Sequence, residues 1–518
     1  MRFKNPEKVV KITVIALAIY LVAFGLAMAF FPIRPFWNDE WRLIYNLKFK
    51  STAQLWGRLD LLQECPRVYL TLLKLVTSFF DYSYIALRTP ALVLSILNIF
   101  FLFSLRKKLF GSNNIYSYLF VLILISSQTF TDYMVQVKHY EMEIFATLVA
   151  LWQLISLLKI SEEGMQRNKG NYLLLCISCM VVPFFSYTYP IAVAPVFPVI
   201  LFHLIVAKKE QTSNKRLSLF AMLLPLVLLA ISILIFYLVD VKQVMTNQRM
   251  YQSYLHVLHN DSGEKRYLAD AWYLFALVGS GFVYEIVLGI LGIAAFLYSL
   301  YRLAAVKKQA YHKEDLLLLY SIILIFLTIF LLVTGKIIGG VARLTSFTVP
   351  AIAIMIVFFL GRLKNNKRYR IVSYLVAIVL FLGLTGNIIS SCIGNFTYVE
   401  YKNRLMTYLN TEKAIKEARQ EKIPVMYTAA IDGDIRNDSA ATPGKIKTNT
   451  ITREQIAGVD TLCGEVILKV SPAYETWDPI PVYEMPDTKW LNNYVQQLPQ
   501  QYNSALVFDG TTYKKMLR

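Results

Sequence analysis

Charge is scarce in this sequence: Asp, Glu, Lys and Arg make up 17% of its 518 residues, against 56% hydrophobic. A soluble chain carries about 25% charged residues, so the deficit argues against an ordinary soluble globule and for a membrane protein. Acid is scarcer than base, 34 residues against 53, for a formal charge of +19. From Gly394 onward the two signs balance, fifteen of each, so the basic excess lies upstream. There it reads as membrane topology rather than a nucleic-acid footprint, and no nucleic-acid partner is expected. Five cysteines do not make a disulfide scaffold. Cys176 and Cys179, three apart in an apolar helix, read as buried thiols rather than a metal pair. Cys392 and Cys463 would share a compartment and could pair. A small-residue cleavage site before Pro32 is also lacking, so the first apolar run reads as a retained helix behind a basic N-terminus. No short solenoid-type repeat is present.

Long apolar runs are abundant. A bilayer core of roughly 30 Å takes about 20 apolar residues per helix. About eleven such stretches occur, at roughly 10–31, 89–105, 114–130, 144–160, 171–187, 190–207, 217–238, 282–300, 315–334, 344–361 and 371–391. One set of loops is basic: Arg2/Lys4/Lys8/Lys11, Arg106/Lys107/Lys108, Lys159/Arg167/Lys169, Lys208/Lys209/Lys215/Arg216, Arg302/Lys307/Lys308/Lys313 and Arg362/Lys364/Lys367/Arg368/Arg370. The alternate short loops carry little beyond Lys138, Lys336 and Arg343. By the positive-inside rule the N-terminus is cytoplasmic, and an odd number of spans puts the C-terminal segment outside.

The stretch Cys65–Phe80 is apolar but short, and Lys74 interrupts it. Counting it as a span would invert every later loop. A re-entrant or juxtamembrane helix fits, with Lys74 snorkelling or facing a wet cavity. Residues 32–89 then form a first external loop with juxtamembrane helices. The expected architecture is an α-helical polytopic membrane domain over 1–391 and a small external α/β domain over 392–518. In the latter, 398–421 reads as helix, and 422–428, 465–470 and 505–509 as short strands.

Polar residues gather at the external helix mouths. Asp39, Glu40 and Arg42 stand in the sequence FWNDEWR, with Arg58, Asp60, Glu64 and Arg67 beyond. The second external loop reads VKHYEME, and Lys336 and Arg343 flank the last short one. Helix ends face water, so charge at any single position is compatible with simple solvation. Asp39 and Glu40 would point roughly 100° apart on a helix, which argues against a proton-sharing dyad. Either one projects into a site while its neighbour binds donors such as Arg42, or the pair caps an interfacial helix. The two readings are compatible.

FWNDEWR after a first helix resembles the Asp-Glu motif in the first external loop of GT-C glycosyltransferases, in the branch of protein O-mannosyltransferases and the lipid A aminoarabinose transferase. CPRVYLTLLKL resembles that branch's His-Pro-Pro-Leu-Tyr segment, although Arg67 follows Pro66 here. ALRTPALVLSIL, with Arg88 and Pro90, resembles its Arg-Leu-Pro-Ser-Ala segment. VKHYEME resembles a basic-x-Tyr…acid element through Lys138, Tyr140 and Glu143, and GGVARLTSFTVP a late Gly…Arg…Pro stretch through Gly340, Arg343 and Pro350. The resemblance spans roughly residues 1–360; the C-terminal segment matches no element of the family.

It implies a GT-C-type fold and a membrane hexosyl- or pentosyltransferase. Such an enzyme moves a sugar from a polyprenyl-phosphate donor to a glycan, lipid or protein acceptor outside, commonly with inversion. Carried over residue by residue, Asp39 is the base, since an acceptor hydroxyl needs one in the transition state, and Glu40 supports it. Arg343 and Lys138, with Arg88 and Arg67 behind, would meet the leaving phosphate. Tyr140, Glu143 and Arg42 fall to substrate binding, with Glu143 orienting Lys138 or binding a sugar hydroxyl. Aromatic residues between Asp240 and Phe282 stack on sugar or anchor at the interface. No metal site is expected, although a divalent cation is compatible with the family; His256 and His259 read as exposed. A polysaccharide polymerase or ligase is the alternative, and a lipid or solute transporter another, disfavoured by spans nearly free of mid-helix charge. The whole suits a bacterial inner membrane.

Overall fold

The computed structural model describes residues 6–31, 40, 43–44, 46–47, 50–57, 59, 63–80, 82–111, 115–163, 169–207, 215–245, 272, 274–276, 282–305, 311–334, 336–337, 342–397, 468–469, 504–508 and 513–517. In chain order its helices are α1 (Pro6–Phe30), α2 (Arg67–Ser78), α3 (Tyr84–Phe110), α4 (Ile115–Ile125), α5 (Gln128–Tyr133), α6 (Tyr140–Glu163), α7 (Lys169–Val181) and α8 (Tyr189–Val193). There follow α9 (Val196–Ala207), α10 (Lys215–Phe236), α11 (Lys242–Met245), α12 (Phe282–Ala305), α13 (Lys313–Val333), α14 (Ala342–Thr345), α15 (Val349–Asn365) and α16 (Arg370–Thr397). Among the described residues nine helices are long and apolar enough to cross a membrane, and Ile115–Ile125 and Gly170–Phe185 are shorter apolar ones. These eleven coincide with the eleven expected spans. The protein is a polytopic helical membrane protein.

The breaks inside three of those spans were not expected. Ser126 and Ser127 end α4 because Ser127 caps α5, its hydroxyl accepting from Phe130 N–H at 3.4 Å. Pro195 has no N–H to donate and separates α8 from α9. A turn over Ser346–Thr348 precedes Pro350 in the first turn of α15.

Contacts along the chain define two compact units. The first comprises Met1–Ala27, Pro66–Tyr69 and Arg88–Gly394. At its centre α15 packs against α4, α12 and α13. Tyr116–Ile125 of α4 and Val349–Phe358 of α15 are buried throughout, as helices that are apolar all round must be. The outer helices do the opposite: α10 exposes Leu223, Val227, Ile231 and Leu234, and α16 exposes Ile371, Leu375, Ile378 and Leu382. Such bands are tolerated where hydrocarbon replaces water. Hydroxyls within the spans bond back to their own helix, Ser299 to Ala295 O (2.6 Å), Ser321 to Leu317 O (2.9 Å) and Thr328 to Leu324 O (2.8 Å).

The second unit comprises Met28–Cys65, Leu70–Leu87 and Asn395–Arg518. The twelve residues of α2 would reach only about 18 Å, too short to span, as expected. Lys74, half-buried, donates its Nζ to Leu47 O at 2.5 Å and to the Tyr82 hydroxyl at 3.1 Å. Tyr82 has φ 51°, the left-handed conformation that stops α2, and its N–H bonds to Thr77 O at 2.9 Å. In the C-terminal segment β1 (Leu468–Lys469) pairs parallel with β2 (Ser504–Phe508), which pairs antiparallel with β3 (Tyr513–Leu517). β1 falls within the expected strand 465–470, and β2 overlaps the expected strand 505–509. β3 was not anticipated, because Tyr513–Leu517 carries two adjacent lysines. The expected helix 398–421 and strand 422–428 lie outside the described residues.

Candidate active site

Three polar residues on α3 hold a buried irregular segment. Arg88, Ser95 and Asn98 recur at spacings of seven and three and so share one face. Arg88 Nη1 donates to Val135 O at 2.9 Å, Ser95 Oγ to Met134 O at 3.2 Å and Asn98 Nδ2 to Glu141 O at 3.1 Å. The segment from Met134 to the start of α6 has too little helix to satisfy its own carbonyls, so a donor stripe is what allows it to be buried. All three donors are fully buried.

That segment delivers Lys138, His139, Tyr140, Glu141 and Glu143, all buried. Glu141 and Glu143 stand in the first turn of α6, inside the span rather than in the loop before it. The helix N-terminus favours carboxylates there. Glu143 Oε2 accepts from the Ser186 and Thr188 hydroxyls and from Thr188 N–H at 3.1 Å. Its Oε1 lies 3.5 Å from His139 Nε2. Neither Glu143 Oε1 nor Glu141 Oε1 has a hydrogen bond among the described residues. Glu143 is thus held by the Ser186–Thr188 turn.

Asp240 closes the network from another direction. It lies in a π-helical turn, Tyr237–Val241, after α10, and is 2% exposed. Its carboxylate accepts from Arg67 N–H at 2.8 Å and from the Tyr187 hydroxyl at 2.9 Å, with Arg67 Nε at 3.9 Å. The Tyr187 ring meets the His139 ring edge-on at 5.9 Å, and Tyr69 donates to Lys138 O at 2.9 Å. A continuous path therefore runs Arg67–Asp240–Tyr187–His139–Glu143. Charges of both signs are buried together, which is costly and marks functional sites in membrane proteins.

Of the expected site residues, Arg67, Arg88, Lys138, Tyr140 and Glu143 all belong to this first unit and are buried. Arg343 is on α14, which packs against α5; its side chain, like Asp39 and Arg42, lies outside the described residues. Glu40 belongs to the second unit and is fully buried in a helical position. Among the described residues no cluster of His, Cys, Asp and Glu could hold a metal; His256 and His259 lie outside them. Cys176 and Cys179 are buried free thiols, and Cys463 is outside the described residues.

No family model and no curated protein matches this chain. Among solved structures it is similar to ArnT from Cupriavidus metallidurans bound to undecaprenyl phosphate, with a TM-score of 0.47 and 13% identity over 96% of this chain and 92% of that one. The apo state of the same protein gives a TM-score of 0.46 at the same identity and coverage.

Sequence reasoning passed over Asp240, Ser186, Thr188, Tyr187 and Asn98 as site residues. Ser186–Thr188 had a signal, polar residues between the helix breakers Pro183 and Pro190. Asp240 had almost none: it ends an apolar run as many solvated residues do, and its partner Arg67 is 173 positions away.

Proposed function

We propose that this protein is an integral-membrane glycosyltransferase that moves a sugar from a polyprenyl-phosphate donor to an acceptor on the external face. The observation that carries the reading is the set of buried residues Arg67, Arg88, Lys138, Glu143 and Asp240, together with the order of GT-C-like motifs that contain the first four. Its cations suit a phosphate leaving group, and the open oxygens of Glu141 and Glu143 suit sugar hydroxyls. A transporter would place its broken helices near the midplane; here the polar network sits in the first turn of α6 and the last of the α10 segment.

In the proposed reaction an acceptor hydroxyl attacks the anomeric carbon while Asp39 takes its proton. The bond to phosphate breaks with its electron pair remaining on the phosphate oxygen. Arg343 and Lys138 stabilise that charge, with Arg88 and Arg67 behind them, and inversion follows from a single displacement. Glu40 supports Asp39, while Tyr140, Glu143 and Arg42 bind substrate. No cofactor is required by these roles. The N-terminus is cytoplasmic and residues 392–518 form an external domain.

Mass spectrometry of the cell envelope with and without the gene tests the reading, with loss of one sugar substituent expected. An Asp39→Asn variant should fail to restore it while accumulating normally in the membrane. An envelope unchanged by deletion, or full restoration by Asp39→Asn, counts against it.

A further inference from the structure

A second polar feature lies at the other end of the first unit. Arg88 and Phe110 stand at opposite ends of α3, 22 residues or roughly 33 Å apart along a helix axis. Around Phe110, the ends of α3 and α15 and the starts of α4 and α13 line a half-open cavity of about 590 Å³. Its volume is that of a small-molecule site rather than of a packing defect.

The walls are of two kinds. One is apolar: Phe110 and Phe358, in contact with ring centroids 5.2 Å apart, with Leu109 and Val357 beside them. The other is cationic, formed by Lys313, Arg362 and Lys364. Lys364 Nζ is poised over the Tyr116 ring at 5.6 Å, and Tyr116 is itself fixed by a 2.8 Å bond to Ser373. The carboxylate in the lining, Glu314, is already engaged by Arg302 at 3.5 Å and Arg362 at 3.3 Å. Positive charge therefore exceeds negative at the mouth, over an aromatic floor. Gly361 faces this space: a Cβ built there would meet nothing within 4 Å.

We propose that the cavity binds an anionic phospholipid of the membrane leaflet at this end. Its phosphodiester would lie against Lys364 and Arg362 and its first acyl carbons against Phe110 and Phe358. A nucleotide or free phosphate would use the cations but leave the phenylalanine wall in contact with water; a phospholipid satisfies both walls at once. The positive-inside pattern assigns this end to the cytoplasm, where anionic headgroups favour lysine and arginine. The site is remote from the Glu143 network and does not depend on the reaction performed there.

The test is lipid retention by the full-length protein, purified in detergent and exposed to equal phosphatidylglycerol and phosphatidylcholine, read by native mass spectrometry. Wild type should retain phosphatidylglycerol preferentially, and each of Arg362→Gln and Lys364→Gln should weaken that preference about fivefold. Gly361→Leu, which places an apolar side chain in the cavity and keeps every cation, should weaken it at least as much. Lys367→Gln, exposed just beyond the end of α15 and outside the lining, should leave it intact. Should Lys364→Gln fail to fold for want of its Tyr116 contact, Arg362→Gln and Gly361→Leu still decide. Equal retention of the two lipids by wild type would overturn the proposal. So would equal effects of Lys367→Gln and Arg362→Gln, which indicate a diffuse surface field. Millimolar inorganic phosphate displacing the lipid no better than chloride is expected; thermal stabilisation by phosphate alone, lost with Gly361→Leu, would assign the cavity to a soluble anion instead.

Discussion

Glu143 carries more of the site's geometry than any other single side chain. One carboxylate oxygen takes two hydroxyls and the rigid Thr188 N–H, and the other faces His139. Replacing it with Gln keeps the shape but gives one face an NH₂. The hydroxyls can rotate to accept, whereas the Thr188 N–H cannot. Hydrogen bonds to charged groups are worth about 1.5–3 kcal/mol. Under the proposed function, Glu143→Gln should lower kcat/KM for sugar transfer roughly 10- to 100-fold in membranes, with the protein still folded. Retained activity would remove Glu143 from the substrate-binding set. Asp240 invites a graded comparison. Asp240→Asn keeps an oxygen for Arg67 N–H, whereas Asp240→Ala removes the acceptor of both Arg67 N–H and the Tyr187 hydroxyl, a loss of about 1–3 kcal/mol for each group left buried. Thermal denaturation in detergent should rank wild type above Asp240→Asn and that well above Asp240→Ala.

At the scale of elements, the spans were legible because bilayer thickness and a rise of 1.5 Å per residue leave little freedom in their length. Their interruptions were not, since Ser127 and Pro195 act through local hydrogen bonds too short-ranged to alter an apolar average. Close helix approach was equally hidden. A Cβ at Gly25 of α1 would come within 2.6 Å of Met134 Cε and 2.7 Å of Leu92 Cδ1 on α3. Both are ends of flexible side chains, so Gly25→Ala should cost little. Gly25→Leu has nowhere to go without separating α1 from α3, and overpacking of this kind costs about 1–3 kcal/mol. A melting temperature lowered by Gly25→Leu alone, measured against Gly25→Ala, is expected; equal values would mean that α1 is loosely packed.

For the whole molecule, the proposed topology, in which the nine long and two shorter apolar helices all cross and the N-terminus is cytoplasmic, places the C-terminal segment outside. A periplasm-active reporter fused after Ser391 should be active, and a cytoplasm-active one silent. The reverse would mean that one of the two short apolar helices does not cross. The sequence by itself determined the membrane class, the positions of the long apolar helices among the described residues and the order in which Arg67, Arg88, Lys138 and Glu143 follow one another. It could do so because hydrophobic length and loop charge are properties of contiguous residues. Only the tertiary structure decided that Asp240 meets Arg67 across 173 residues and that Ser186 and Thr188 hold Glu143. It alone showed that a stripe on α3 carries the segment between α5 and α6, and that four helix ends line a cationic cavity. Those pairings depend on how helices pack, and within a bilayer that follows from shape, small residues and buried hydrogen bonds rather than from hydrophobicity, which is nearly uniform along every span.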